Sequence, residues 1–357
     1  MKAIITAGGH GTRLRPITYT LNKHLFPIAN KPIIFYALEK IKETGIKEVG
    51  ININKGDKEL KKIIGSGKKW GLKIIYLEQE GGALGLAHVV KNAKKWVGKS
   101  DLLFYLGDNI ILGSIKGLVE KFKKEKLDCL LALSKVSDPE RFGVPVIKGE
   151  KILKVEEKPK NPKSDYAVTG IYVYSNKIIE AVSNIKASAR GELEISDAHT
   201  YLIKKGAKVG YKRITGWWKD TGKPEDLLEG NSLILSGIAK SEIKGIVSKK
   251  ARIEGKVIIG KGSKITGKVL IRGPVIIGEN CKISNSSIEP YTAIADNCII
   301  QKAEIHHSII CEGSQIIECP KRITDSLVGR DCLITSETLS RPSGHRLIIG
   351  DNAQVEL

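Results

Sequence analysis

The first two thirds of the chain alternate short apolar runs with amphipathic stretches. In the amphipathic stretches the aliphatic residues recur three or four positions apart, as they do on one face of a helix. This alternation predicts repeated βαβ units, and therefore a mainly parallel sheet covered by helices on both faces. The predicted strands are KAIITA, KEVGINI, LKIIYLEQ and DLLFYLGDN, and the predicted helices are KPIIFYALEKIKETG, KELKKIIGSG and ALGLAHVVKNAKKWV.

Two polar features follow predicted strands at their carboxyl ends. A glycine-rich turn follows the first strand, and Asp108 closes DLLFYLGDN. Right-handed crossovers bring the carboxyl ends of parallel strands to one sheet edge, where ligands of such folds bind. We therefore expect these two distant stretches to meet at that edge.

From residue 128 the pattern predicts more strands and fewer helices. The predicted strands are CLLALSKV, GVPVI, ILKVEEKP, YAVTGIYVYS and a stretch near 207–213, and the predicted helices lie near 194–205 and at PEDLLEGNSLIL. Together with the first half, this predicts an α/β domain with a Rossmann-like mixed sheet over residues 1–235.

The pattern changes near residue 240, where aliphatic residues recur at every sixth position. Val247, Ile253, Ile259, Ile265, Ile271, Ile277 and Ile283 follow this step, and Ile288 and Ile294 continue it after a slip. Neither a helix nor an ordinary strand repeats at six, whereas a hexapeptide parallel β-helix does. Residues 236–357 are therefore predicted to form a left-handed parallel β-helix, with three hexads in each triangular coil.

Composition and charge narrow the class of protein. The chain has 357 residues, a formal net charge of +20 and six cysteines. The lysines are spread along the chain without an aromatic-interleaved stripe, so we expect anionic small molecules and no nucleic-acid partner. No apolar run is long enough to cross a membrane, and the first residues show no signal-peptide pattern, so we expect a cytoplasmic protein. Abundant isoleucine and lysine with scarce glutamine favour a thermophilic source.

The stretch AIITAGGHGTRLRP holds the glycine turn. It is not a Walker loop, because the closing Gly-Lys-Ser/Thr is missing, and Leu14 occupies the place of the third glycine of the dinucleotide fingerprint. A turn without a ligand is one interpretation. Thr12, Arg13 and Arg15 favour a triphosphate site, because bare backbone N–H groups beside a guanidinium suit phosphate.

Several motifs, in this order, resemble the sugar-1-phosphate nucleotidyltransferases. They are AGGHGTRLRPIT, NKHLFPIANKPII, EQEGGALGLAHVV, FYLGDN, DPERFGV, VEEKP, YAVTGIYVY, RGELEISDA and WKDTG. Together they are most similar to the long form of the glucose-1-phosphate thymidylyltransferases, which open dTDP-rhamnose biosynthesis. The resemblance covers residues 1 to about 230. It implies that the phosphate of glucose 1-phosphate attacks the α-phosphorus of dTTP, giving dTDP-glucose and pyrophosphate.

The resemblance also implies roles for residues that match the family motifs. Arg13, Lys23 and Asp108 are the expected catalytic residues, and Asp108 and Asp220 are the expected ligands of one Mg²⁺. The nucleotide is expected at Gly8, Gly9, Gly11, Thr12, Arg13, Gln79 and Gly85. The sugar phosphate is expected at Gly143, Glu157, Lys158, Thr169, Gly170 and Glu192.

Some alternatives stay open at this point. Asp220 could form a turn with Thr221 and Gly222, and Glu192 could cap a helix that begins near Leu193. UTP could replace dTTP, with glucose or N-acetylglucosamine 1-phosphate as the acceptor, because one methyl group separates thymine from uracil. The β-helix could carry an acetyltransferase that uses His306 or His307. We favour a structural tail that makes the protein a homo-oligomer.

Overall fold

The computed structural model describes residues 1–79, 82, 84–149, 151–336 and 349–356. The chain divides into two compact units. The first comprises Met1–His10, Asn22–His24 and Ile33–Asp220, and the second comprises Gly11–Leu21, Leu25–Pro32 and Thr221–Leu357. The domain boundary expected near residue 235 stays a prediction, and each unit is described separately below.

Helices and strands alternate over the first 236 residues, in the order that the sequence predicts. The helices are α1 (Ile33–Glu43), α2 (Lys58–Ile64), α3 (Leu86–Asn92), α4 (Lys94–Val97), α5 (Lys116–Lys124), α6 (Lys177–Asn184), α7 (Ile195–Lys204) and α8 (Pro224–Ser236). The strands are β1 (Lys2–Thr6), β2 (Pro27–Ile28), β3 (Lys31–Pro32), β4 (Glu48–Asn54), β5 (Lys73–Gln79), β6 (Leu102–Leu106), β7 (Asn109–Ile111), β8 (Cys129–Lys135), β9 (Gly143–Lys148), β10 (Lys151–Glu157), β11 (Tyr166–Tyr174), β12 (Val209–Arg213) and β13 (Trp218–Asp220).

The first unit is built on a mixed sheet. Strands β5, β4, β1 and β6 lie side by side and are all parallel. Strand β11 runs antiparallel to β6 and also pairs with β8 and β9. Beyond these, β12 pairs with β8, and β10 pairs with β9. The expectation of a parallel half followed by a strand-rich half is confirmed.

Local sequence explains how the helices of this unit begin and end. Asp57 caps α2 by accepting a hydrogen bond from the N–H of Leu60 at 3.0 Å. Gly65 follows α2 with φ of +63°, and Gly45 follows α1 with φ of +79°, a region that glycine enters without strain. The helix predicted over ALGLAHVVKNAKKWV is shorter at its start and breaks at Ala93 into α3 and α4. Helices α5 and α6 were not among the sequence predictions.

Strand β6 stops at Leu106, earlier than the sequence suggests. A Cβ on Gly107 would lie 2.3 Å from the carbonyl oxygen of Thr6, so only glycine allows the chain to pass β1 this closely. Strand β7 begins at Asn109 and pairs antiparallel with β13. Asp108 therefore lies in the short turn between two strands.

The second unit contains the hairpin β2–β3, helix α8 and the β-helix. Ala29 and Asn30 form the two-residue hairpin turn, and both have positive φ, as a type I′ turn requires. No described helix of the protein has both the length and the apolar character needed to cross a membrane.

The β-helix follows the six-residue periodicity. Its strands are β14 (Glu242–Ile243), β15 (Ile246–Val247), β16 (Arg252–Glu254), β17 (Val257–Ile259), β18 (Lys264–Thr266), β19 (Leu270–Arg272), β20 (Val275–Ile277), β21 (Lys282–Ser284), β22 (Ser287–Ile288), β23 (Thr292–Ile294), β24 (Ile299–His306), β25 (Ile309–Ile310), β26 (Gln315–Thr324), β27 (Leu327–Val328) and β28 (Leu333–Thr335).

Successive coils of the β-helix stack with their aliphatic residues in register. Ile253 pairs with Ile271, Ile259 with Ile277 and Ile265 with Ile283, always in parallel strands. Each pair lies three hexads apart, so one coil consists of three hexads. The inward aliphatic residues from Val257 to Ile316 form one continuous buried core, against which the partly buried Val247 and Ile253 pack, and this confirms the parallel β-helix.

Candidate active site

Asp108 and Lys23 form an ion pair at the carboxyl edge of the main sheet. Lys23 Nζ lies 2.5 Å from Asp108 Oδ2, and the Lys23 residue is only 7% exposed. The other oxygen, Asp108 Oδ1, accepts a hydrogen bond from Asn109 Nδ2 at 2.9 Å. Both carboxylate oxygens are therefore held by the chain, and the carboxylate keeps 22% of its side chain exposed.

Electrostatics keep this carboxylate ionised. Burial by itself would raise the pKa of Asp108, but the Lys23 ammonium and the hydrogen bonds hold that pKa well below its usual range. Burial lowers the pKa of the neighbouring His24 to about 4, so its imidazole is neutral at pH 7. The positive charge beside Asp108 therefore comes from Lys23.

Strand pairing brings the second predicted carboxylate close to the first along the backbone. Asp220 lies opposite Asn109 in the β13–β7 pair, one residue from Asp108. Trp218 Nε1 donates a hydrogen bond to Asn109 Oδ1 at 2.8 Å, inside the protein. Asn109 thus connects the Asp108 carboxylate with the strand that carries Asp220.

Gln79 ends β5, and its amide is bonded on both sides. Its Oε1 accepts a hydrogen bond from Asn52 Nδ2 at 3.1 Å, and its Nε2 donates to the carbonyl oxygen of Gly82. Asn52 and Gln79 are 2% and 6% exposed. Asn52 comes from β4, the neighbouring parallel strand, and Gly82 follows β5, so β4 and the segment after β5 hold this amide in one orientation.

Gly85 precedes α3 and lies against the main chain of Leu193. Gly85 has φ of +95°, and a Cβ there would lie 2.4 Å from the carbonyl oxygen of Leu193. The N–H of Leu193 donates to Leu84 O, and the N–H of Ala87 donates to Leu193 O. The position therefore requires glycine for packing, and the loop before α3 is fastened to the segment that carries Glu192.

One alternative for Glu192 was that it caps the helix after it, and the structure shows another residue at that position. Helix α7 begins at Ile195, and Glu194 occupies the N-cap position. Glu192 therefore does not cap this helix. Arg190 forms ion pairs with two other carboxylates. Its Nη2 is 2.8 Å from Glu194 Oε1 and 3.8 Å from Glu157 Oε1.

Glu157 ends β10 and lies opposite Gly143 of β9. Ser196 Oγ donates a hydrogen bond to Glu157 Oε2 at 2.5 Å, and Ser196 is buried. A Cβ on Gly143 would lie 3.5 Å from both oxygens of this pair, Glu157 Oε2 and Ser196 Oγ. Gly143 also pairs with Val168 of β11, so the predicted sugar residues lie on adjoining strands.

The remaining predicted sugar residues lie in different surroundings. Lys158 is exposed just beyond β10, with φ of +44° and its N–H bonded to Phe142 O. Thr169 is fully buried, and its hydroxyl donates to Ala132 O at 3.0 Å, inside the sheet. A Cβ on Gly170 would lie 2.5 Å from Leu106 Cγ. Lys158 is therefore accessible, whereas the Thr169 hydroxyl is occupied.

The predicted phosphate turn is divided between the two compact units. In the first, Gly8 follows β1, and a Cβ there would lie 3.0 Å from Asn52 Nδ2, whereas Gly9 is open to solvent. In the second, Gly11 has φ of +58° and precedes a 3₁₀ turn, Thr12–Leu14. The Thr18 hydroxyl donates to Gly11 O at 2.7 Å, and Arg13 is exposed.

Comparison with known proteins decides the family. Residues 2–237 match the model of the nucleotidyl transferase family. The chain belongs to this family.

Similar proteins also extend over the β-helix. A glucose-1-phosphate thymidylyltransferase of Streptomyces antibioticus is 42% identical over the whole chain and 99% of its own length. A bifunctional protein GlmU of Methanocaldococcus jannaschii is 36% identical over 95% of this chain and 80% of its own. A solved structure matches a smaller part of the chain. It is a Bacillus anthracis protein described as a glucose-1-phosphate thymidylyltransferase in complex with a sucrose. It is 41% identical, has a TM-score of 0.62, and covers 65% of this chain and 94% of its own.

The carboxylates of this nucleotidyltransferase fit a divalent cation. Asp108 Oδ2 already meets a cationic group, the Lys23 ammonium, and Asp220 lies one residue away across a strand pair. Among the described residues, no group of three or more His, Cys, Asp or Glu side chains could enclose a metal. Mg²⁺ is usually held by one or two carboxylates together with phosphate oxygens, so the two aspartates suit it.

The histidines of the β-helix are bonded within the second unit. His307 Nε2 lies 2.9 Å from Ser232 Oγ of α8, and His307 Nδ1 is bonded to Asp325 Oδ1. His306 Nδ1 lies 3.2 Å from Thr324 Oγ1. Both ring nitrogens of His307 are thus in use, and the similarity over the whole chain to glucose-1-phosphate thymidylyltransferases does not favour the acetyltransferase alternative.

Sequence reasoning did not find several residues of the site. Asn52 lies in an apolar strand pattern, KEVGINI, where its amide looked like one polar residue among others. Ser196 and Arg190 contact Glu157 across gaps of more than thirty residues. Asn109 could have been found, because an amide directly after a candidate metal carboxylate is a common supporting residue.

Proposed function

We propose that this nucleotidyltransferase transfers the thymidylyl group of dTTP to glucose 1-phosphate, giving dTDP-glucose and pyrophosphate. The single observation that carries the proposal is 42% identity over the whole chain to a glucose-1-phosphate thymidylyltransferase. The Lys23–Asp108 pair at the carboxyl edge of the sheet supports it, because phosphoryl chemistry needs a cation and a metal-binding carboxylate there.

The reaction is an in-line displacement at phosphorus. A phosphate oxygen of the sugar 1-phosphate forms a bond to the α-phosphorus, and the bond from the α-phosphorus to the bridging oxygen breaks. Pyrophosphate leaves with that electron pair. A phosphate monoester has a second pKa of about 6, so the nucleophile is ionised at neutral pH and no general base is required. The residues of the chain need only position the groups and neutralise charge.

On the nucleotide side, the backbone at Gly8, Gly9 and Gly11 approaches the triphosphate, with Thr12 beside it. Arg13 binds its phosphates and stabilises the charge that develops in the transition state. Lys23 neutralises phosphate charge beside Asp108. Gln79 binds the pyrimidine, and Gly85 shapes the loop over it.

On the sugar side, Lys158 binds the phosphate of the acceptor, and its exposure leaves the ammonium accessible. Glu157 accepts hydrogen bonds from sugar hydroxyls, held in place by Ser196 and Arg190. Gly143 leaves room for the sugar ring, Gly170 lets Leu106 pack against its main chain, and Thr169 contributes through its main chain because its hydroxyl is bonded to Ala132 O. Glu192 adds a weaker contact to the sugar.

Asp108 and Asp220 would hold the cation, which we take to be Mg²⁺. When bound, Mg²⁺ supplies charge neutralisation to the phosphate oxygens. Lys23 Nζ now pairs with Asp108 Oδ2, so a cation bound at that oxygen would take the place of the ammonium, and Lys23 would then be available to the phosphates. The fixed hydrogen bond from Asn109 keeps the carboxylate oriented meanwhile.

A pyrophosphate-release screen tests the proposed function. The full chain is assayed with dTTP and UTP against glucose 1-phosphate, glucosamine 1-phosphate and N-acetylglucosamine 1-phosphate. The highest kcat/KM is expected for dTTP with glucose 1-phosphate. A higher value for UTP with N-acetylglucosamine 1-phosphate would overturn it.

Four further expectations stay predictions: the dTDP-rhamnose pathway, homo-oligomerisation, a thermophilic source and cytoplasmic location.

Lys158→Ala is expected to raise KM for the sugar phosphate by about 10- to 100-fold, because one charge-assisted contact is lost, worth roughly 1.5–3 kcal/mol. KM for dTTP is expected to change by less than about threefold. Lys160→Ala, which removes an exposed lysine two positions away, is the matched control. Equal losses for both substrates would contradict the assignment.

Ser196→Ala is expected to raise KM for the sugar phosphate roughly 5- to 20-fold, because Glu157 loses the hydroxyl that holds Oε2. The dTTP steps should be unaffected. Ser183→Ala, which removes a hydroxyl bonded to Ile179 O in α6, serves as the control. A fall in kcat without any change in KM for the sugar phosphate would speak against a positioning role.

A further inference from the structure

The amide of Gln79 is held by a second amide, that of Asn52. Asn52 Nδ2 donates to Gln79 Oε1 at 3.1 Å, and both residues are more than nine-tenths buried. On the other side, Gln79 Nε2 donates to Gly82 O. Reversing the Gln79 amide would place its NH₂ group against the NH₂ group of Asn52 and its oxygen against the oxygen of Gly82. Both neighbours therefore specify the same orientation.

The main chain at Asn52 is held in place, and its side chain is closely packed. Its main-chain oxygen accepts from the N–H of Ala7 at 2.7 Å, which ties this end of β4 to the end of β1. Gly8 packs against the side chain, since a Cβ there would lie 3.0 Å from Asn52 Nδ2. The buried oxygen Asn52 Oδ1 has no hydrogen-bond partner among the described residues. A buried acceptor without a partner costs stability, so the stability of the fold does not account for this amide.

A fixed glutamine amide distinguishes pyrimidines by their hydrogen-bonding edges. An amide NH₂ has two protons and an amide oxygen has two lone pairs. After the bonds to Gly82 and Asn52, Gln79 thus retains one donor at Nε2 and one acceptor at Oε1. Thymine and uracil present an acceptor at O4 and a donor at N3, which match this order. Cytosine presents a donor at N4 and an acceptor at N3, which match only the reversed amide.

We propose that Asn52 is a positioning residue that makes the site selective for pyrimidines with a 4-carbonyl group over those with a 4-amino group. The inference rests on the proposed function, because it takes Gln79 to contact the base. Asn52 acts through Gln79 and touches no reacting atom. The selectivity follows from the order Asn52 Nδ2, Gln79 Oε1, Gln79 Nε2, Gly82 O, in which each donor meets one acceptor.

Asn52→Asp replaces the hydrogen-bond donor at this position with acceptors. A carboxylate only accepts hydrogen bonds and so favours the reversed Gln79 amide. Asn52→Leu removes the hydrogen-bonding group and keeps a similar side-chain volume. The experiment measures kcat/KM for dTTP, dUTP and dCTP with glucose 1-phosphate, on the full chain, by pyrophosphate release. Asn92→Asp is the matched control: it makes the same amide-to-carboxylate change at a side chain bonded to Glu78 O, one residue from Gln79. Thermal melting shows that each variant is folded.

The wild-type protein is expected to prefer dTTP and dUTP over dCTP by at least about 100-fold. Asn52→Asp is expected to lower this ratio by about 10-fold or more, and Asn52→Leu by a smaller factor, whereas Asn92→Asp leaves it within about twofold. A merely structural role would lower all three rates together and leave the ratio unchanged.

The ratio decides the outcome. If folded Asn52→Asp and Asn52→Leu keep the wild-type ratio within about twofold, or if Asn92→Asp lowers it equally, the assignment is overturned. An active wild-type enzyme with an unmoved ratio refutes this inference alone. A wild-type protein that releases no pyrophosphate from any of the triphosphates refutes the proposed function and this inference with it.

Discussion

Asp108→Asn is expected to lower kcat by at least roughly 1,000-fold, or about 4 kcal/mol of transition-state stabilisation. The substitution keeps the shape of the side chain and the acceptor for Asn109, but it removes the charge that would hold the cation. The apparent requirement for Mg²⁺ should rise as well, since Asp220 alone would remain. Steady-state rates over a range of Mg²⁺ concentrations measure both effects.

Asp101→Asn is the matched control. Asp101 directly precedes β6, at the opposite end of the strand from Asp108, and accepts a main-chain hydrogen bond from Lys2 through its own carbonyl oxygen. The same change of charge at that end should leave kcat within about threefold. Near-native turnover of Asp108→Asn at ordinary Mg²⁺ concentrations would refute the role of Asp108, and an equal loss in Asp101→Asn would show that the effect is not specific.

The periodicities of the sequence predicted most of the framework. Apolar runs such as KAIITA became central strands, because burial between helix layers selects continuous apolar segments. The hexads predicted the stacking of coils to within a residue, since each inward aliphatic position is repeated at every coil. Helices α5 and α6 could also have been predicted, because GLVEKF and KIIEAV carry their aliphatic residues at helical spacing.

Long-range pairing was the part that local sequence could not predict. Asp108 was expected at the end of a strand, but its orientation comes from Asn109 and, through it, from Trp218, more than one hundred positions away. The partners of Gln79 and Glu157 are likewise set by which strands and helices become neighbours. A polar residue in a strand pattern does not reveal which amide or carboxylate it will meet, because that depends on sheet order.

The second unit depends on one buried amide in the same way. Asn231 of α8 is fully buried, and its Oδ1 accepts the N–H of Ala29 at 2.9 Å. Its Nδ2 donates to the carbonyl oxygen of Tyr291 at 2.9 Å. One side chain therefore joins the turn of the β2–β3 hairpin, helix α8 and a coil of the β-helix. Asn30, the next residue of that turn, adds a bond from its Nδ2 to Ile294 O at 2.6 Å.

Asn231→Leu is expected to lower the stability of the second unit by roughly 2–6 kcal/mol, because two buried main-chain groups lose their partners at about 1–3 kcal/mol each. In calorimetry this should lower the melting temperature of the corresponding transition by roughly 5–15 °C. Ser236→Leu, on an exposed position of the same helix, is the control and should shift it by no more than about 2 °C. An unchanged transition in Asn231→Leu would mean that water replaces the amide at both main-chain groups, and the hairpin would then be held to the β-helix by packing and by Asn30 alone.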